Sequence, residues 1–203
     1  MFDLGGSVAV FACRHRAGGN SSAAAEFVAR GVREVGGRAR VIELREYNVL
    51  PCQSCRSCTA AHDSACVLRG RDQAEGLFAT LMTAPAVVFT SPIYFYGLPS
   101  MLKTWIDRSQ RFWEARRKKE RWIMALRERQ AMACFVAGQQ SGQKLFEGAR
   151  LTLKYFLTNF NLVLEEPVGL RGMEASGDLL ADPAAVHAAL SLGRAAGEAA
   201  RRA

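Results

Sequence analysis

Short apolar runs alternate with helical patterns along the chain, and this alternation constrains the fold more than any other feature. The strand-like segments lie at 7–13, 40–44, 86–90, 131–136 and 162–164, and all are mainly apolar except 40–44, which contains Arg40 and Glu43. Each is too short for a helix of ordinary length and lacks the polar alternation of a half-exposed strand. Uninterrupted apolar strands separated by helices predict an α/β fold: a doubly wound, five-stranded parallel sheet with helices on both faces.

The predicted helices are marked by apolar residues at helical spacing and by start signals. The patterns cover 25–32, 72–82, 99–113, 145–160 and 183–202. Asp72 is predicted as an N-cap, Pro99 stands near a helix start, and Asp182-Pro183 reads as N-cap and first helical residue. At 203 residues the chain is predicted to form one domain over 1–203, with a cysteine-rich insertion at about 50–70 and a basic excursion at about 113–129.

Composition excludes several classes of protein. Hydrophobic residues make up 49% of the chain and charged residues 23%, which is typical of a globular protein and not of a disordered one. The apolar stretches, 84–89 among them, are far shorter than the roughly 18 residues of a membrane span. The N-terminus has no basic region before its short apolar run, so we expect no secretion signal. Together these features predict a cytoplasmic location and no membrane partner.

The net charge of +8 is concentrated in one segment. Nine Lys or Arg residues face three Glu between Arg108 and Arg129. The patch is interpreted either as a solvated basic segment or as a docking surface for an acidic protein or a phosphorylated ligand. No series of stacking aromatics accompanies it, so we expect no nucleic-acid partner.

The loop after the first predicted strand, 13–22, combines basic residues, glycines and small hydroxyls just before a helix. Ligands of doubly wound sheets bind at the carboxyl ends of the strands, and the free N–H groups of a helix start can hold a phosphate. The loop lacks the glycine patterns of a Walker loop and of a dinucleotide-binding fingerprint. It predicts a phosphate site, with an ordinary strand-to-helix turn as the alternative.

Two further loops follow the third and fourth strands. The segment 90–99 places three successive aromatic residues between two prolines, which suits a flat conjugated ring. The alternative is that these aromatics are buried in the core. The segment 137–142 can close the other side of such a ring.

Four of the six cysteines form a compact C-x2-C-x2-C-x7-C run. They are Cys52, Cys55, Cys58 and Cys66. Disulfides are disfavoured in the expected compartment, which leaves three interpretations: a [4Fe-4S] cluster, a zinc site in which His62 could compete as a ligand, or a thiol-rich loop that binds nothing stably. Cys13 and Cys134 stand alone on predicted strands and are interpreted as core thiols.

Three stretches carry a family resemblance. They read Leu50-Pro51-Cys-Gln-Ser-Cys-Arg-Ser-Cys58 with Cys66, Ser91-Pro-Ile-Tyr-Phe95, and Leu102-Lys-Thr-Trp-Ile-Asp-Arg108. Together they resemble the flavodoxin-like NAD(P)H-dependent FMN reductases, specifically the iron–sulfur flavoprotein branch. The resemblance runs from about Val8 to Gly142 and more weakly beyond. It implies a flavodoxin-like fold that binds FMN, with the phosphate in the first loop and the ring in the second.

The resemblance assigns candidate residues by position. For the FMN phosphate they are Arg16, Asn20, Ser21 and Ser22; for the ring Pro92, Ile93, Tyr94 and Phe95; for the closing loop Gly138 and Gln139; and for the cluster Cys52, Cys55, Cys58 and Cys66. Arg14 and His15 depart from the family's usual Ser-Pro and are kept as candidates because either side chain can reach a phosphate. Lys103 and Asp107, four residues apart, are interpreted as a surface salt bridge.

The implied function is that of an NAD(P)H-dependent FMN oxidoreductase that moves electrons between reduced nicotinamide, FMN and a [4Fe-4S] cluster. The flavin carries the chemistry, so no catalytic side chain is expected. Alternatives are a cluster-free NAD(P)H:quinone, azo or nitro reductase, a flavin electron carrier for ferredoxin-like proteins, and a zinc-stabilised regulatory module. Expected partners are NAD(P)H and a small-molecule or protein electron acceptor, and the family implies a homodimer or homotetramer.

Overall fold

The computed structural model of the protein describes residues 6–203. Residues 1–5, on which the expectation about a secretion signal partly rests, lie outside the described residues. The strands are β1 Val8–Ala12, β2 Ala39–Glu43, β3 Val87–Pro92, β4 Arg129–Val136, β5 Leu162–Leu164 and β6 Val168–Leu170. The helices are α1 Asn20–Glu34, α2 Ser57–Ala60, α3 Ala74–Thr83, α4 Ser100–Asp107, α5 Gln110–Arg117, α6 Arg121–Met124, α7 Glu147–Thr158, α8 Asp178–Ala181 and α9 Pro183–Arg202.

The sheet is parallel throughout and has the order β2-β1-β3-β4-β5. This is the flavodoxin-like strand order, and the predicted fold class is confirmed. The sequence analysis missed β6, which pairs with the second half of β4 while β5 pairs with its first half. Pro167 stands just before β6, and proline cannot donate to a strand ladder. The fifth position of the sheet is therefore filled by two short strands instead of one.

The two faces of the sheet bury different side chains. One face packs α3, α4, α5 and α7 around a cluster of aromatics that includes Phe78, Trp105 and Phe156. The other face packs α1 and α9 with mostly Ala and Val side chains. These two helices approach closely at glycines, because a methyl group on Gly193 would lie 2.1 Å from the Val28 carbonyl oxygen. Small residues therefore set the spacing of the layer that carries the first loop.

The sequence predicted one continuous helix over 99–113, and this prediction is wrong. It is two helices, α4 and α5, separated by a tight turn at Arg108 and Ser109, where the N–H of Ser109 donates to the Ile106 carbonyl oxygen. The turn coincides with a buried guanidinium on Arg108 that is fixed by Asp72. A helical apolar pattern gave no sign of this break.

The last helix starts as predicted. The Asp182 carboxylate accepts hydrogen bonds from the N–H groups of Ala184 and Ala185 at 2.9 and 3.2 Å, and Pro183 is the first helical residue. Although α9 is 20 residues long, neither it nor any other helix within residues 6–203 is apolar enough to cross a bilayer.

Candidate cofactor sites

The first loop ends in an uncapped helix start. No side chain caps the N-terminus of α1, and the N–H groups of Asn20 and Ser21 lie in its first turn, where helix geometry gives them no acceptor. Gly18 and Gly19 have φ angles of +74° and +90° and face open space. Residues with side chains rarely adopt such angles. The loop therefore exposes N–H donors and the positive end of a helix, the chemistry that holds a phosphate.

The Asn20 side chain is engaged elsewhere. Its Nδ2 donates to the carbonyl oxygens of Met173 and Ala175 at 2.9 and 2.8 Å, and its Oδ1 accepts from the Leu179 N–H at 3.1 Å. Asn20 thus ties the first loop to the segment between β6 and α8. Toward a ligand it can offer only its backbone N–H. The Ser22 hydroxyl donates to the Gly18 carbonyl oxygen at 2.7 Å, while Ser21 is buried in the first turn.

The two arginines of the first loop differ in their surroundings. Arg14 forms a two-pronged ion pair with Glu43 at the end of β2, with N–O distances of 2.8 and 2.9 Å. Its charge is therefore balanced within the protein. Arg16 is exposed and forms no ion pair within the described chain. Arg16 is the cation of this loop that remains available to an anion.

The aromatic loop forms a tight hairpin turn that presents its rings to solvent. Tyr94 and Gly97 exchange backbone hydrogen bonds of 3.0 and 2.9 Å, and Phe95 and Tyr96 between them have positive φ angles. The side chain of Phe95 is fully exposed and that of Tyr94 is 47% exposed. The alternative that these aromatics are buried in the core is therefore wrong for Tyr94 and Phe95. The neighbouring Ile93 does pack partly against the core.

His15 joins the first two loops. Its Nε2 lies 3.1 Å from the Ser100 hydroxyl oxygen at the start of α4, and its ring centroid is 6.4 Å from that of Tyr94. The candidate phosphate loop and the candidate ring loop are therefore neighbours at the carboxyl edge of the sheet.

The third loop follows β4 at the same edge. The Gln139 carbonyl oxygen accepts from the Gly172 N–H at 3.2 Å, and the side chain of Gln139 is exposed. Gly138 lies against the carboxylate of Glu174, an exposed and flexible side chain. The Tyr96 hydroxyl lies against Gly142, which brings the second and third loops together. The three loops therefore adjoin one another, with free N–H donors in the first and exposed aromatic rings in the second.

The four motif cysteines line a single pocket of about 520 Å³. Cys55 is exposed, and Cys52, Cys58 and Cys66 are partly buried. His62 is exposed and does not line this pocket. Within residues 6–203 no three Cys, His, Asp or Glu side chains converge closely enough to hold one metal ion. The four cysteines thus line one cavity, but their side chains do not converge on a single point within it.

Local surroundings differentiate the thiols. Hydrogen bonds from the Ser57 hydroxyl and backbone lower the pKa of Cys55. Burial, with Glu114 nearby, raises the pKa of Cys58. Burial also raises the pKa of Cys134 to about 12 and raises that of Cys13. The interpretation of Cys13 and Cys134 as inert core thiols is confirmed by their complete burial.

The basic excursion packs against the cysteine segment. The Lys118 ammonium donates to the carbonyl oxygens of Cys58 and Ala61 at 3.3 and 2.6 Å, and the Thr59 hydroxyl donates to Glu114 at 3.0 Å. These contacts join α2 to α5. The excursion is therefore no simple solvated arm, since part of its charge positions the cysteine-bearing backbone.

Most basic side chains of the run 116–119 are engaged within the protein. The Arg116 Nε donates to the Asn159 carbonyl oxygen at 2.8 Å, and Arg117 pairs with Glu114 at 2.8 Å. Of the run 116–119, only Lys119 is exposed without an ion pair or hydrogen bond from its side chain to the described part of the chain. The run 116–119 therefore keeps little free charge for docking an acidic protein, whereas Arg121 and Arg127 farther along the basic segment are exposed.

A buried ion pair anchors both ends of the cysteine insertion. Arg108 and Asp72 pair with side-chain exposures of 1% and 0%. Asp72 also accepts the Leu50 N–H at 2.8 Å, and Arg108 donates to the Leu50 carbonyl oxygen at 2.9 Å. The pair therefore links both ends of the insertion to the end of α4. Sequence reasoning missed it, because Asp72 was interpreted only as a helix cap and Arg108 only as part of a motif.

The fold and these three adjoining loops define a flavodoxin-like protein with a candidate binding site at the carboxyl edge of its sheet. The chain belongs to the NADPH-dependent FMN reductase family, whose model matches residues 7–162. The expected membership of the NAD(P)H-dependent FMN reductase class is thereby confirmed. FMN and NAD(P)H are the cofactor and co-substrate of that class.

Similar proteins agree with this assignment. An iron-sulfur flavoprotein from Archaeoglobus fulgidus is 28% identical over 85 residues, which are 42% of this chain and 40% of that protein. The structure of an NAD(P)H:quinone oxidoreductase from Methanothermobacter marburgensis superposes with a TM-score of 0.67 at 18% identity, covering 94% of each chain. A flavone reductase superposes with a TM-score of 0.71 at 14% identity, covering 96% of this chain and 63% of the other. The match to the iron-sulfur flavoprotein thus spans about two fifths of its length.

Proposed function

We propose that this protein is an NAD(P)H-dependent FMN oxidoreductase that also carries a [4Fe-4S] cluster on Cys52, Cys55, Cys58 and Cys66. The observation that carries the proposal is that all four cysteines line one pocket of about 520 Å³. The similarity to an iron-sulfur flavoprotein supports it. The physiological electron acceptor and a homo-oligomeric state stay predictions.

The arrangement of the thiols favours a cluster over zinc. A zinc ion draws its ligands to about 2.3 Å from one point, so its cysteine sulfurs crowd together. A cubane cluster takes one thiolate at each of its four irons, so its ligands surround a larger volume. Cysteines that line one pocket without converging on a single point match the second case.

The three loops divide the binding of FMN between them. FMN, when bound, supplies hydride and one-electron chemistry. The N–H groups of Asn20 and Ser21, with the Arg16 guanidinium, hold the phosphate. The N–H groups of Ile93 and Tyr94 already donate to the Val136 and Gly97 carbonyl oxygens, so they are not free for the ring.

The ring is therefore contacted mainly by side chains. Pro92 and Tyr94 supply its slot, and His15 of the phosphate loop lies beside that slot. Gly138 and Gln139 close the site from the third loop. In this scheme Arg14 acts indirectly, because its pair with Glu43 fixes the loop that presents Arg16.

An anaerobic absorbance spectrum of the fresh protein, with FMN, iron and sulfide assays on the same sample, tests the proposal. Flavin bands together with about four irons per chain are expected. Mixing with NADH or NADPH in a stopped-flow instrument is expected to bleach the flavin. Flavin without iron after anaerobic reconstitution would leave a cluster-free quinone, azo or nitro reductase. Absence of bleaching would leave an electron carrier.

Replacing Cys55 with serine is expected to abolish stable iron binding and to leave FMN bound. Cys55 is exposed, so its loss should not disturb the core. The matched control is Cys134→Ala, which removes a buried thiol outside the motif and should keep the full iron content. Iron and FMN analysis of both purified variants is the measurement. Equal iron in Cys55→Ser and wild type would exclude Cys55 as a ligand.

Replacing Arg16 with glutamine is expected to weaken FMN binding about tenfold, because a charge-assisted hydrogen bond to the phosphate is lost. Arg16 is exposed, so the thermal stability of the apoprotein should not change. Arg33→Gln removes an equivalent charge from the last turn of α1, the helix that follows this loop, and serves as the control. Fluorescence titration of apoprotein with FMN gives both dissociation constants. Equal values would remove Arg16 from the site.

A further inference from the structure

Arg108 carries buried donors that nothing in the described part of the chain satisfies. Its Nη1 is occupied by Asp72 and the Leu50 carbonyl oxygen. Its Nε and Nη2 are buried and have no hydrogen-bond partner. Native proteins rarely leave buried charged donors unpaired, so an acceptor is expected beside them.

The neighbour of these donors is Cys66. Both residues line the cysteine pocket. Burial lowers the pKa of Arg108, but the hydrogen bond to Asp72 and the adjacent Cys66 outweigh it, so that the pKa is raised overall. The guanidinium therefore stays charged next to this sulfur.

We propose that Arg108 is a positioning residue that donates its Nε–H and Nη2–H groups to the sulfur of Cys66 when that sulfur is a thiolate ligand. This inference rests on the proposed cluster. Asp72 and Leu50 fix the guanidinium from the opposite side, so its direction is set before any ligand binds. A planar guanidinium with several donors can satisfy Asp72 and a sulfur at once, which an ammonium cannot.

Such donors tune a cluster as well as position it. Hydrogen bonds to ligand sulfur and a nearby positive charge stabilise the more negative, reduced state and raise the reduction potential. The Glu114 carboxylate lies beside Cys58, and its negative charge opposes this stabilisation of the reduced state. Arg111 lines the same pocket but lies near Glu75 at 3.5 Å, so its charge is partly balanced. Arg111 also has a buried Nε without a hydrogen-bond partner, but Arg108 leaves two such donors and its side chain is the more deeply buried of the two.

The test compares wild type with Arg108→Lys, which keeps the net charge and an ion pair with Asp72 but loses the two extra donors. Both proteins are reconstituted anaerobically, assayed for iron and FMN, and titrated with reductant while the cluster signal is followed by electron paramagnetic resonance. We expect equal iron and a more negative midpoint potential in the variant. Lys119→Gln is the control, since it removes an exposed charge that does not line the cysteine pocket and should leave the midpoint unchanged.

The outcomes separate this inference from the proposed function. Wild type that holds no iron after reconstitution would overturn both. Iron-loaded wild type and Arg108→Lys with the same midpoint would overturn the role of Arg108 alone. If Arg108→Lys does not fold, the double variant Arg108→Gln/Asp72→Asn removes both charges together and takes its place. The same negative shift is expected, and its absence would overturn the inference.

Discussion

Replacing Asp72 with alanine is expected to lower the free energy of unfolding by about 3–5 kcal/mol. The change leaves the Arg108 guanidinium buried without a counter-charge, since the side chain of Arg108 is 1% exposed. It also removes the acceptor for the Leu50 N–H, so one end of the cysteine insertion loses its anchor. Urea denaturation of the purified apoprotein, followed by circular dichroism, measures the loss.

A matched control lies on α4 itself. Asp107 pairs with Lys103 at 2.7 Å, but both side chains are about half exposed, so Asp107→Ala should cost at most about 0.5 kcal/mol. The two variants remove the same group and differ in burial. If both lose similarly little stability, the Arg108–Asp72 pair does not anchor the insertion.

Replacing Gly193 with alanine is expected to destabilise the protein by about 3 kcal/mol, because overpacking of a tight contact strains both partners. A methyl group at this position would lie 2.1 Å from the Val28 carbonyl oxygen, and that backbone cannot rotate away. The sign of the change in stability distinguishes a tightly packed helix pair from an open helix. In an open helix the same substitution would stabilise by about 1 kcal/mol through helix propensity.

Glu198→Ala provides the comparison for Gly193, since it changes an exposed residue on the same helix and should alter stability by less than about 0.5 kcal/mol. Thermal and urea unfolding of the two variants are the measurements. A Gly193→Ala protein that is more stable than wild type would show that α1 and α9 do not pack as closely as described.

Local sequence predicted the strands well because their signals are local. The apolar run 86–90 becomes β3, Val87–Pro92, and the helix predicted from Asp182 and Pro183 begins where its capping residues stand. The salt bridge between Lys103 and Asp107 was predicted from spacing alone and is confirmed. Each of these features depends on residues no more than a few positions apart.

The missed features depend on distant residues. The pairing of Asp72 with Arg108 joins positions 36 residues apart, and the ion pair of Arg14 with Glu43 joins positions 29 apart. No local pattern marks either one. β6 was missed because three residues after a proline carry too little periodicity for assignment. The candidate FMN residues were located by resemblance, and their roles stay predictions.

The contacts of Lys118, Thr59 and Arg108 make the cysteine insertion dependent on a second, distant stretch of the chain. The insertion therefore does not contain all the residues that hold its conformation. A chimera that grafts 50–72 alone onto another sheet of this type would carry the ligands without the residues that hold them. Including 108–122 as well would supply those residues, and the two segments should tolerate insertions or deletions only in combination.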